Sequence, residues 1–365
     1  MTVKDSPLAE IHRANGARFV DRDGWRVPAG YGSVLTEYQA VRSRAGLLDL
    51  CRRSPVRFTG ADRVEYLNGM VSNDVKTLNP GTGTYAAIVN VQGKILADVR
   101  LFRAEESLLL DLPEFLKDII LDHLNRHLVA DEVEIEDLTE RYGMISIQGP
   151  VAAALLRAVF PQDLPANPLS HSLFDLAGHE IRIVRATHTG EEGYDLIAQA
   201  GQLQTVASLI EKAFEPLACV WVGVEAEEIL RVEAGIPRYG IDMDADNLLL
   251  ETGLESHLSF HKGCYLGQEV VERIRSRGHV NKKLSGIVLE GTAPAERGDR
   301  IYAGEKEIGE ITSSVISPHL NAPIALAYVH RDFLDAGTPV VCREKEKSVQ
   351  GKIVELPFYR IPSGM

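Results

Sequence analysis

Lys262-Gly263-Cys264-Tyr265-Leu266-Gly267-Gln268-Glu269 opens the stretch in which this 365-residue chain changes texture. Two glycines, a cation and a thiol come first, and an amide and a carboxylate follow where a helix begins. Glycine admits positive φ or a close backbone approach, and a cysteine at a helix entrance beside Lys262 is placed where a thiolate would be stabilised. The plainer reading is a tight turn with an inert small thiol. Past Lys283 the chain breaks into short β-branched runs: Ile287 to Leu289, Glu310 to Thr312, Ile324 to Val329, Pro339 to Cys342 and Lys352 to Leu356. Turns with Gly298, Gly304, Asn321 and Gly337 separate them, which predicts a small all-β domain, a barrel, over 283–365.

Upstream, the pattern alternates strand and helix. Residues 33–50 read as a helix, Pro55 to Phe58 as a strand, and Asp62 to Met70 as a short helix. Tyr85 to Asn90 and Ile95 to Phe102 form a hairpin about Val91-Gln92-Gly93-Lys94. Phe115 to Leu128 repeats Leu116, Ile120, Leu124 and Leu128 four apart, one buried helix face. Glu132 to Leu138 closes a first unit, 1–140. A second unit of similar grammar, 141–282, has strands at Met144 to Ile147, Ile181 to Arg185 and Tyr194 to Ile197. Its helices start at Pro150, Leu203 and Val224. The fold class is α+β, two α/β units followed by the barrel.

Composition narrows the function. A net charge of −13 argues against a nucleic-acid partner. Arg273, Arg275, Arg277, Lys282 and Lys283 make a local basic cluster, either a solvated face or an attraction for a small anion. No apolar run reaches the length of a membrane span, and Met1 to Arg13 has no signal-peptide core, so no membrane partner is expected and the expected location is cytoplasmic. The four cysteines (Cys51, Cys219, Cys264, Cys342) form no C-x-x-C pair, against a zinc site or a disulfide framework. Gly81 to Ala86 mimics a dinucleotide fingerprint, but it leads into a strand where that fingerprint needs a helix. Asp242 and Asp244 lack further ligands at regular spacing, so no metal is assigned.

Three places could carry chemistry. Asp98 sits in a strand as a structural acid or as a carboxylate aimed at a pocket. His188-Thr-Gly-Glu-Glu-Gly-Tyr-Asp195 is an acidic, glycine-bounded turn between strands. Arg231, on the helix ending at Gly235, is either paired with Glu227 or Glu228 one turn back or turned to a ligand.

Ordered blocks along the chain resemble the folate-binding superfamily that contains the glycine-cleavage T-protein (aminomethyltransferase) and the YgfZ-type iron–sulfur maturation proteins. They are Tyr38 to Asp49, Ser72 to Val75 with Asn79-Pro-Gly81 and Tyr85, Thr189 to Asp195, Leu230 to Gly235 with Tyr239-Gly240 and Asp242, and Ile311 to Ser314 with Ser317 to Leu320 and Ile324 to Val329. Lys262 to Glu269 is similar to the YgfZ-type signature, whereas Gly24 to Pro28 is more like T-protein. The T-protein strand carries adjacent aspartates where this chain has Ala97-Asp98. His188 stands where T-proteins usually have tyrosine, and Asp195 where they have glutamate.

The resemblance implies a three-domain cloverleaf of two ferredoxin-like units and a barrel, binding tetrahydrofolate or a one-carbon derivative. Asp195 would hold the pterin, with Tyr85, Arg231 and Lys262 in the cofactor site, and Asp98 and Cys264 as catalytic groups. Two roles in one-carbon metabolism follow from it. The first is folate-dependent iron–sulfur cluster assembly or repair, with iron–sulfur client or assembly proteins as partners. The alternative is transfer of a one-carbon unit from an aminomethyl-lipoyl carrier protein to tetrahydrofolate with release of ammonia. A further one-carbon transferase, such as a demethylase, ranks third.

Overall fold

A computed structural model describes residues 3–215, 219–344 and 347–361, the side chains at 277, 344 and 347 excepted. The chain separates into two compact units. One takes Met1–Ala86, Asp98–Glu227 and Ser259–Gly263; the other takes Ala87–Ala97, Glu228–Leu258 and Cys264–Met365.

The first unit is built on two sheets, of which the first also counts Ala87–Val89 and Ile95–Ala97 from outside that unit. The five-stranded sheet runs in the order Gly83–Val89, Ile95–Arg103, Leu108–Pro113, Arg53–Thr59, Glu134–Asp137. Side chains alternate across a strand, and this alternation sorts the sheet into an oily face and a polar one. Val56, Phe58, Val99, Leu101, Leu108, Leu110 and Leu112 are fully buried. Helices Arg63–Met70 and Lys117–His127 are tied together by the Tyr66 hydroxyl donating to the Leu124 carbonyl at 2.7 Å, and Tyr66 stacks on Phe58. The opposite face carries Asp98, Arg100 and Phe102. Cross-strand pairing adds Asp111 and Leu109 to it, then Pro55 and Arg57.

The six-stranded sheet has the order His171–Leu176, His179–Arg185, Gly193–Gln199, Tyr142–Gln148, Gly46–Asp49, Val220–Val222. Ile145, Ile147, Ile181, Ile183, Leu196 and Ala198 join one core with Leu155, Leu156, Leu203, Val206, Ile210 and Phe214 of helices Ala152–Val159 and Leu203–Phe214. Burying large aliphatic side chains at about 1.5–3 kcal/mol each makes this core the main stabilising element of the sheet. The register places Met144, Ser146, Arg182, Val184, Asp195 and Ile197 on the reverse face. That face meets the polar face of the other sheet, with Arg100 bonded to Asp195 and the Phe102 ring edge-on to His171 at 5.7 Å.

The single helix expected over 33–50 is instead the helix Val34–Ser43 followed by the strand Gly46–Asp49. The break is steric and comes from a partner far along the chain. Strand pairing brings Gly46 so close to its neighbour that a Cβ would lie 2.4 Å from Val222 Cγ2. Leu47 and Leu48 are then buried on opposite faces of an interior strand, where alternation cannot reveal it. The N-terminal hairpin of Arg18–Arg22 and Trp25–Gly30 and the edge strand His171–Leu176 were not anticipated. Leu173 of that edge strand is 52% exposed, which spoils its period-two signal.

The second unit contains a closed six-stranded barrel. Around it run Lys282–Leu289, Ala322–His330, Lys306–Ser317, Arg300–Ala303, Pro339–Glu344 and Lys347–Val354. Ile287, Ile301, Ile311, Ala325, Ala327, Val329, Val340, Cys342 and Ile353 fill it. Helix Gln268–Arg277 begins after Gly267, which holds φ +81°. Among the described residues no helix is long and apolar enough to cross a membrane.

Candidate active site

Asp98 stands where the five-stranded sheet turns its polar face inward, and it is 8% exposed. Its Oδ2 accepts a 2.6 Å hydrogen bond from the Tyr85 hydroxyl, while its Oδ1, also buried, has no protein partner among the described residues. Burial first, and the adjacent Asp98 charge second, raise the Tyr85 phenol well above its ordinary pKa, so it remains a donor. A buried carboxylate oxygen without a donor is costly, by about 1–3 kcal/mol or more for a charged group. Such an atom is an acceptor with capacity for one more N–H or O–H donor.

Beside this pair runs a row of alternating charges. Arg53 Nε donates to both oxygens of Asp111, at 3.0 and 2.8 Å. Arg100 Nε donates to Asp111 Oδ2 at 2.6 Å, and Arg100 Nη1 to Asp195 Oδ2 at 2.5 Å. His188 Nε2 completes the row at 3.0 Å from Asp195 Oδ1. Burial alone would raise the Asp195 carboxyl pKa; the charges of His188 and Arg100, with hydrogen bonds from His188 and Ser146, hold it well below the usual carboxylate range. Asp195 is completely buried, whereas the His188 side chain keeps 18% of its surface exposed. His188 therefore stands between Asp195 and solvent. The Asp195 carboxylate orients the imidazole, as an acid behind a histidine does in many sites.

The remaining expected site residues fall in different surroundings. Lys262 belongs to the first unit, and its ammonium donates to three backbone carbonyls: Asn68 at 2.6 Å, Val71 at 2.7 Å and Asn73 at 2.6 Å. Burial lowers its pKa to about 8. Arg231 and Cys264 belong to the second unit. Arg231 is buried and donates to Asp242, Glu228, the Ser313 hydroxyl at 2.6 Å and the Ile236 carbonyl at 3.2 Å. Asp242 also accepts from the Thr312 and Ser313 hydroxyls, both at 2.6 Å, so this acid is an arginine's counter-ion. Cys264 is an exposed free thiol. In the basic cluster, Arg273 pairs with Glu269, Arg275 with Glu272 and Lys283 with Glu255. Lys282 lies over the Tyr328 ring, and the Arg277 side chain lies outside the described residues.

Arg100, Asp111 and Arg53 were missed by sequence reasoning. The signal was present in Asp98-Val-Arg100: two charges at strand period in an otherwise aliphatic run place both on one face, and a buried charge demands a partner.

A two-sheet unit with a row of buried charges and a closed barrel define a mixed α+β protein. Residues 8–262 match the GCVT N-terminal domain, and residues 282–360 match the glycine cleavage T-protein C-terminal barrel domain. The chain is 35% identical over 362 residues to an aminomethyltransferase of Rubrobacter xylanophilus, covering 98% of this chain and 95% of that protein. It is 32% identical over 366 residues to one of Streptomyces coelicolor, covering 98% of each. The crystal structure of the glycine cleavage system aminomethyltransferase T from Bartonella henselae superposes with a TM-score of 0.88 at 25% identity, with 98% of each chain covered. The chain belongs to the glycine-cleavage T-protein family.

Proposed function

We propose that this chain is an aminomethyltransferase, moving a one-carbon unit from an aminomethyl-lipoyl carrier protein to tetrahydrofolate with release of ammonia. Full-length relatives that bear that name support this reading, where the iron–sulfur reading rests on Lys262 to Glu269 alone. Within that motif, Lys262 serves to hold three backbone carbonyls and Gly267 to admit the φ at which the helix begins. Cys264 is an exposed free thiol.

The observation that carries the proposal is the unpartnered Asp98 Oδ1. Tetrahydrofolate, when bound, supplies the nitrogen nucleophile that takes up the carbon. Asp98 is the group to accept a proton-bearing nitrogen there, with Tyr85 fixing the rotamer of its carboxylate. Positioned general acid–base work of this kind contributes about 10²–10⁴-fold in rate. Asp195 would act on the pterin end through His188, whereas Lys262 and Arg231, engaged by backbone carbonyls and by Asp242, Glu228 and Ser313, would support the site's walls rather than touch the folate.

The test compares Asp98→Asn with Cys264→Ala in an ammonia-release assay. The proposal expects the first to lose about 10²–10⁴-fold in kcat and the second to stay near wild type. The reverse order, with folate still bound, favours the maturation role.

A further inference from the structure

Where the two sheets of the first unit diverge, a cavity of about 190 Å³ opens, lined by Arg182, Tyr142, Ser107, Phe102, Leu173 and Ile197 among others. Arg182 is its unusual member. It is half-buried in the strand His179–Arg185, and its hydrogen bond runs 2.7 Å to Nδ1 of His171. Because that nitrogen accepts, the proton of His171 resides on Nε2, and the ring is neutral. Burial, followed by the Arg182 charge, lowers the His171 pKa to about 4. The imidazole therefore satisfies a donor without offsetting the charge. Among the described residues, no carboxylate lies within ion-pair distance of Arg182.

The other charges on the wall are engaged or peripheral. Arg57 is bound to Glu136, and Asp111 is held by Arg53 and Arg100. Glu180 is exposed and acts on Arg182 only at longer range. The Tyr142 and Ser107 hydroxyls line the same space without a protein partner among the described residues. The remaining wall is apolar, from Phe102, Leu173 and Ile197. A guanidinium fork matches a carboxylate in two parallel bonds, hydroxyls add donors, and the apolar wall suits a short hydrocarbon body. Pockets for drug-sized ligands span about 300–1,000 Å³, so this one calls for something smaller.

We propose that this cavity is a binding site for a small monocarboxylate, its carboxylate on Arg182 and its alkyl body against Phe102, Leu173 and Ile197. The site is separate from the Asp98 pair and does not depend on the transferase reading.

A ligand-observed NMR titration of the full chain with sodium propionate at constant ionic strength tests it, with propionamide as the neutral counterpart. The proposal expects saturable millimolar binding of propionate and much weaker binding of propionamide. Arg182→Gln should weaken propionate by about tenfold or more, as loss of a charge-assisted bidentate pair requires. Glu180→Gln should tighten it by removing a competing anion from the rim. Leu173→Trp, at an exposed position, should block it while leaving all charges in place. Equal affinity for acid and amide, no saturable binding, or indifference of the folded Arg182→Gln protein overturns the proposal. If Arg182→Gln does not fold, the other two variants decide: unchanged binding in both overturns it as well.

Discussion

Replacing Arg100 with methionine tests whether the charge row holds the two sheets of the first unit together. The guanidinium is 3% exposed and binds two carboxylates, Asp111 and Asp195. The two losses are unequal. Asp111 keeps both bonds from Arg53. Asp195 keeps His188 and Ser146 but loses its only permanent cation among the described residues. One buried carboxylate is thus left under-compensated, and removing one partner of a buried pair costs about 3–5 kcal/mol. Methionine recovers part of this through its apolar volume, so we expect about 3 kcal/mol for Arg100→Met. Asp195→Asn in the same background should recover about half. Urea unfolding at pH 7, with the four proteins of the double-mutant cycle, measures both quantities. The pH dependence fixes the cause. The Asp195 pKa is depressed in the folded protein, so its contribution is present above the unfolded value of about 3.9 and is lost as pH falls towards the folded one. The gap between wild type and Arg100→Met should therefore be widest near neutrality and narrow below about pH 4. A loss under about 1 kcal/mol at pH 7, or additive effects of the two substitutions, would refute the reasoning.

Lys262→Met should destabilise the protein by about 3 kcal/mol, because three carbonyls at Asn68, Val71 and Asn73 lose one shared donor; a melt within 1 °C of wild type would show that the turn holds itself. Gly267→Ala should cost about 2 kcal/mol or more, since φ is +81° and the new Cβ would sit 2.3 Å from the Asn90 carbonyl oxygen. Thermal denaturation reads it, and Gly263→Ala, which meets nothing within 4 Å, is the control. Tyr85→Phe removes the bond to Asp98 Oδ2 and should lower kcat by about tenfold, less than Asp98→Asn, with stability changed by about 1 kcal/mol. An equal or larger kcat loss would make the phenol, rather than the carboxylate, the acting group.

How far the sequence discloses this molecule depends on whether a residue's partner is near it in the chain. The barrel declares itself through β-branched runs and glycine turns, and the helix Leu203–Phe214 through its aliphatic spacing, because each signal is local. Leu47 and Leu48 mislead for the opposite reason: an interior strand buried on both faces has no alternation, so it extends a neighbouring helix by eye. The same holds in the site. Tyr85 and Asp98 lie on adjacent strands of one hairpin and meet as a pair. Arg100 and Asp195, 95 positions apart, meet only because two sheets pack their polar faces together. Arg231 shows a mixed case: its bond to Glu228 one turn back was open to view, while those to Asp242 and Ser313 depend on the barrel. Lys262 looked like part of a reactive loop beside Cys264, and its three carbonyl partners nearly two hundred positions upstream could not be seen in the motif.

The most direct test of the account is ammonia release from an aminomethyl-lipoyl carrier protein in the presence of tetrahydrofolate, using protein first shown to bind the folate. The account predicts folate-dependent turnover in the ordinary enzymatic range, about 1–10³ s⁻¹, abolished by Asp98→Asn. Folate binding with no ammonia released would contradict it and turn attention to Cys264.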